Sequence, residues 1–239
     1  MVVSSVCIGF GLLVHNAPAA PALRLKFTNM LDRAFERDKR VAPSELHLRL
    51  KSEFDRLMAV KQPKEADLIS LGAGLMALKL VHFKKFQWKD SLRQRNWLHQ
   101  QFKRIGPCLE SAIVDYYVTD LYDIVLPKDI IKSDLPGSPI ASMFAFKTWD
   151  MQCKTAGDLK EMQVLWVRVK SIGLHKRYLL GMEGSLEFNT FQATRDFSAL
   201  RKATDLFKAG AKLEPNPKTL KTTIEWCKPW DDWLAKEGK

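Results

Sequence analysis

Apolar residues recur at helical intervals through the N-terminal third of the chain. Leu23, Phe27, Met30 and Ala34 fall at i, i+4, i+7 and i+11, and Leu46, Leu50, Phe54, Leu57 and Met58 form a second stripe. Ile69, Ala73, Met76, Leu80 and Phe83 form a third. Charges from Asp32 to Arg40 close the first pattern. "VAPSE" breaks the chain with Ser44 as N-cap of the next helix, and Pro63 suits the first turn of the third. Three amphipathic helices on short links predict an antiparallel bundle over residues 22–88.

The rest of the chain is patterned less regularly. A basic-aromatic segment, Lys84 to Arg104, ends at Gly106-Pro107, and Ile113, Tyr117 and Leu121 mark a further helix. Prolines, Gly137 and serines predict a loop at 127–142. From Met143 to about Leu180 the pattern is mixed, and "VLWVRVK" reads as strand as readily as helix. "FSALRKATDLFKAGAKL" is an amphipathic helix closing at Gly210, which ends a helical extension over 89–211. Residues 212–239 hold a linker, "EPNPK", and a tail with Trp226, Trp230 and Trp233, aromatic anchors suited to an interface. The predicted fold is therefore mainly α: an N-terminal three-helix bundle with a long, mostly helical and irregular C-terminal extension.

Composition narrows the partners. Of 239 residues 46% are hydrophobic, enough for a sizeable core, and the net charge is +11 from 38 Lys+Arg against 27 Asp+Glu. Acidic partners follow: nucleic acid, an anionic membrane surface or an acidic protein. Cys7, Cys108, Cys153 and Cys227 stand far apart with no CxxC pair, which reads as buried thiols rather than a zinc ribbon or a disulfide framework. Residues 1–21 are uncharged and largely apolar, but Val2 to Val14 is short of the roughly 20 residues a membrane span needs. This segment is expected to be an arm that docks on a partner or at a membrane interface.

Reaction chemistry finds little purchase. GxxxxGK[ST], GxSxG and HExxH are absent, and the five histidines are dispersed without ligand spacing. Asp231-Asp232, between Trp230 and Trp233, reads as the polar rim of the anchor. A non-enzymatic protein with no metal or cofactor of its own is expected. In Lys84 to Arg104, Phe86, Trp88, Trp97 and Phe102 alternate with Lys and Arg. They read either as an RNA-stacking surface or as the inner face of an amphipathic helix.

Gly72 and Gly74 interrupt the third helical pattern, where each costs about 1 kcal/mol against Ala. Room between helices, for a ligand chain or a close helix approach, is the return. In order and spacing, "LRLKF", "KSEFDR" and "KEADLISLGAGL" resemble the LYR-motif family of small mitochondrial three-helix proteins. Leu68-Ile69-Ser70-Leu71-Gly72 matches the family's "LLxxG", and Phe54 stands at its phenylalanine. Leu25-Lys26-Phe27 stands where the family has Leu-Tyr-Arg, so Arg24 or Lys26 takes the basic role. The resemblance covers residues 22 to 88.

It implies an accessory subunit of a mitochondrial inner-membrane assembly on the matrix side, respiratory complex I (NADH:ubiquinone oxidoreductase) foremost. A mitochondrial acyl carrier protein and neighbouring subunits would be its partners. On this resemblance Arg24, Lys26, Arg33, Arg37, Lys39 and Arg40 would meet the carrier's acidic helix. Phe27, Phe54, Ile69, Gly72, Gly74 and Met76 would line the core that receives the acyl chain on its phosphopantetheine. The alternative from another class is a mitochondrial ribosomal protein or ribosome-assembly factor that binds RNA through 84–104.

Overall fold

The computed structural model describes residues 26–27, 29–87, 91–106, 108–119, 138–153, 155–214 and 216–237. The apolar arm, Arg24 and Trp88 lie outside them, as does most of the expected loop at 127–142. Among the described residues there are ten helices and no strand. The chain is mainly α.

Helix α1 (Met30–Asp38) begins later than the periodicity suggests, because Asn29 adopts a left-handed conformation (φ 61°) that asparagine tolerates and that breaks a helix upstream. Its buried stripe is accordingly Leu31, Ala34, Phe35 and Asp38, while Phe27 and Met30 are half-buried. Ahead of it, the backbone N–H groups of Phe27 and Lys26 donate to the buried carboxylate of Glu110, at 2.9 and 3.2 Å.

Helix α2 (Pro43–Met58) starts at Pro43 with Ala42 as N-cap, not at Ser44. Proline's preset φ and missing N–H make it a good first helical residue. Leu46, Leu50, Phe54 and Leu57 are its buried stripe, as the spacing predicts. Pro63 falls outside α3 (Glu65–Leu80), whose N-cap is Lys64; its carbonyl instead accepts from Arg104 Nη2 at 2.8 Å.

α3 is not a one-faced helix. Leu68, Ile69, Leu80 and every residue from Leu71 to Leu78 are buried. A helix apolar on all sides belongs at the centre of a core, and α1, α2 and α5 (Leu109–Thr119) all pack on it. Helix α4 (Ser91–Arg104) packs on α5. The polypeptide after residue 88 is thus part of the surroundings of α3.

Helix α6 (Pro139–Gln152) overlaps the end of the expected loop: Ser138 Oγ accepts from Ala141 N at 3.1 Å, and Pro139 occupies the first turn. The ambiguous "VLWVRVK" is helical, inside α7 (Ala156–Lys170). Thr155 and Asp158 form a capping box, and Leu159, Met162, Leu165, Trp166 and Val169 make one buried stripe. Helix α8 (Lys176–Thr194) is capped by His175 and stops at Arg195, φ 60°. α9 (Phe197–Ala211) follows from the Asp196 cap and passes one residue beyond Gly210. The expected linker-and-tail is mostly a 20-residue helix, α10 (Pro217–Lys236), opened by Asn216 and Pro217.

One apolar cluster runs from Leu31 in α1 to Leu186 in α8, with no break at residue 88. A smaller cluster joins Phe191, Ala199, Leu200 and Leu234. The end of α3 is fastened to the start of α8. His175 N donates to the Leu80 carbonyl at 2.8 Å, and the His175 ring stacks on Phe83 with centroids 4.4 Å apart. Among the described residues no helix is long and apolar enough to cross a membrane.

Candidate functional site

The solvent face of α1 carries Arg33 and Arg37 of the basic residues singled out by the resemblance, and Lys39 and Arg40 follow at its C-terminal end. Arg33, Arg37 and Arg40 recur at i, i+4 and i+7, opposite the stripe that packs on α3. They differ in freedom. Arg40 is 77% exposed and only 3.7 Å from Glu36, and Arg33 is exposed. Arg37 keeps 55% exposure but holds the buried Asp38 carboxylate with Nε at 2.7 Å and Nη2 at 3.2 Å.

Lys39 is engaged with Glu36 at 2.6 Å and with the Ile172 carbonyl at 3.0 Å, which makes it a tie between α1 and the chain after α7. Lys26 pairs with Glu65 at 2.5 Å. The surface most available to an acidic partner is therefore Arg33 and Arg40, with the half-exposed Arg37 between them already holding Asp38, Lys26 paired with Glu65, and Lys39 tied to Glu36 and Ile172.

Asp38 explains why this face is held so firmly. Its Oδ1 is 2.7 Å from Arg49 Nη2 of α2 as well as from Arg37, and its Oδ2 lies where a side chain on Gly74 would begin, 2.7 Å from an added Cβ. A buried carboxylate needs such partners, because desolvation without them costs several kcal/mol (~3–5 when one is removed). Burial also pushes up the carboxyls of Glu53, despite Arg49 and Arg56, and of Asp32, despite donors from Ser138 and Ile140. His82, beyond the end of α3, is lowered by burial and has no hydrogen bond at its buried Nε2.

The glycines are filled by the protein itself. A Cβ on Gly72 would meet Val114 and Phe102, and one on Gly74 would meet Leu50 at 2.5 Å. Each glycine thus admits a neighbouring helix, on nearly opposite sides of α3. Phe54, Ile69 and Met76 are fully buried, and Phe54 meets Trp97 and Phe86 edge-on at 5.4 and 6.2 Å. Of the aromatics of the basic-aromatic segment that the structure describes, Trp97 and Phe102 pack inward from α4, as in the amphipathic-helix reading, and Phe86 packs inward from the non-helical chain before it.

The tryptophans split in the same manner. Trp230 lies 5.4 Å from Phe188, and Trp233 lies 5.6 and 5.0 Å from Phe191 and Phe197, so both rings fasten α10 to α8 and α9. Trp226 stays 43% exposed. Asp231 receives Lys208 Nζ at 2.6 Å.

Three buried polar features escape a linear reading, since each takes at least one partner from a distant segment. They are the Asp38 knot, the Glu110 cap on residues 26–27, and a chain in which His99 Nδ1 lies 2.6 Å from Asp115 and Thr119 donates to Asp115 at 2.7 Å. Burial raises the Asp115 carboxyl, and these two contacts oppose it. Cys108 is pushed up to about 11, mainly by burial, so it is a thiol rather than a thiolate at neutral pH. Among the described residues no group of three or more His, Cys, Asp or Glu could hold a metal ion. No family model, curated protein or solved structure matches the chain.

Proposed function

We propose that the chain is a non-catalytic accessory subunit of a mitochondrial inner-membrane assembly, respiratory complex I foremost. It would lie on the matrix side and dock an acyl carrier protein on α1. The observation that carries this reading is the exposed arginine row: Arg33 and Arg37 on the solvent face of α1, whose opposite face is locked into the core, and Arg40 in the turn that follows it. From Arg33 to Arg37 the row rises about 6 Å at 1.5 Å per residue, and Arg40 extends it past the helix end, a stretch suited to an acidic helix laid along it. Charge complementarity of this kind sets orientation and on-rate. With Gly72 and Gly74 occupied by Val114 and Leu50, an acyl chain entering this core would have to displace those side chains.

The test is purification of the tagged full chain from gently solubilised mitochondria, with native sizing and mass spectrometry. Recovery of acyl carrier protein with complex I subunits is expected. The double variant Arg33→Glu/Arg40→Glu should lose the carrier by more than about tenfold while keeping its helical circular dichroism. Surface arginines are the right probes, because a charge at the buried Phe54 would unfold the protein. Recovery of ribosomal proteins and RNA, with binding that falls steeply as salt rises, would replace this reading with the RNA-binding one.

A further inference from the structure

A second candidate site lies away from α1. The C-terminal end of α6 and helices α8, α9 and α10 enclose a cleft of about 620 Å³. Its walls include Phe188, Phe207 and Trp226, and its polar side includes Asp150 and Asn189. Phe207 can lie flat against α8 because position 184 is glycine, where an added Cβ would come within 2.8 Å of the ring.

Trp226 stands 5.3 Å from Phe207 at 85° and 6.0 Å from Phe188 at 54°. Rings inclined in this way make a corner. A flat heterocycle needs two near-parallel faces, whereas a compact rounded group fits a corner. The faces of all three rings carry negative electrostatic potential.

The polar groups agree with the rings. Asn189 is buried, and its Nδ2 donates to Asp150 Oδ1 and to the Ser185 carbonyl, each at 3.0 Å. An amide nitrogen has two hydrogens, so both are engaged, which leaves Oδ1 as the one acceptor of this cleft-lining side chain. Asp150 adds a carboxylate, shared with Lys147 Nζ at 3.2 Å. Aromatic faces with acceptors and a carboxylate complement a cation.

We propose that this cleft binds a methylated ammonium group, with Phe188, Phe207 and Trp226 as its cage and Asp150 and Asn189 as its polar wall. This is independent of the reading of α1. The group is supplied either by a free quaternary amine or by a methylated lysine side chain.

The experiment titrates the full chain, labelled at tryptophan indole nitrogen, with choline, with N-trimethyl-lysine, and with 3,3-dimethylbutanol, the uncharged isostere of choline. The Trp226 signal is identified by its loss in Trp226→Phe. The expected result is a saturable shift of that signal by a methylated cation and at least about tenfold weaker binding of the isostere. Trp226→Leu, which lacks the reporter and is titrated by calorimetry beside the unsubstituted chain, should weaken the cation about tenfold with unchanged circular dichroism, the residue being surface-exposed. Tighter binding of choline or of trimethyl-lysine tells which source is used. Equal binding of the isostere, no effect of Trp226→Leu, or no saturable shift would overturn the proposal.

Discussion

A methyl group added at Gly72 would collide with Val114, whose Cβ is 3.0 Å away, and with the Phe102 ring at 3.2 Å. Alanine is the better helix former by about 1 kcal/mol, but overpacking a fitted core costs about 1–3 kcal/mol. Collision with a β-branched side chain held by α5 should win. Gly72→Ala is expected to lose up to about 2 kcal/mol in urea unfolding, the collision less the helix gain. A Val114→Ala background should shrink that loss, since the two side chains compete for one space. Gly157, in the exposed first turn of α7, has only Thr155 Oγ1 within reach, at 3.6 Å. There Gly157→Ala should gain about 0.5 kcal/mol. A loss at Gly157, or a gain at Gly72, would show that the helix spacing described here is wrong.

At the scale of elements, α10 is attached differently from the rest. Its buried residues are Cys227 and Leu234, and its hold on α8 and α9 is aromatic, through Trp230 and Trp233. Pro229 inside the helix removes one backbone hydrogen bond. A helix held by a small separate cluster should open on its own, below the free energy of global unfolding. Trp233→Ala is expected to lower the opening free energy of α10 by about 2 kcal/mol, because the ring is only half-buried. Amide exchange in α10 should speed by roughly thirtyfold while α3 is unchanged.

What the sequence told about these elements depended on the window. The stripe of α2 was legible because one face is apolar and the other is not. In α3 the spacing of Ile69, Ala73, Met76 and Leu80 fits a stripe, but Leu68, Leu71, Leu75 and Leu78 fill the remaining faces. Burial all round was therefore present in the composition of that helix and hidden by its period. "VLWVRVK" alternates over too few residues to exclude a strand, and Leu159 and Met162 upstream decide for helix. For the candidate site, the row of arginines could be read along the chain. That Asp38 is buried and joined by Arg49, and that the Ile172 carbonyl takes the neighbouring Lys39, depends on tertiary neighbours.

Across the whole molecule, the region that resembles a three-helix family is not packed as a free-standing unit. Residues beyond 88 supply Val114 and Phe102 at Gly72, Trp97 on Phe54, and the Tyr117 carbonyl for Lys79 Nζ at 2.8 Å. They also supply the Glu110 carboxylate that satisfies residues 26 and 27, and the His175 ring stacked on Phe83. Cutting the chain at 88 would expose one side of a helix that is apolar on every side and leave Lys79 and two backbone donors without these partners. Small domains bury too little surface to tolerate such a loss. A fragment of residues 22–88 is therefore expected to show no sigmoidal thermal transition and to bind a hydrophobic dye, whereas the full chain melts cooperatively. A cooperative melt of the fragment would mean that α1, α2 and α3 form a module of their own. Its absence would mean that the later helices belong to the same core, and that any partner docking on α1 addresses the whole protein.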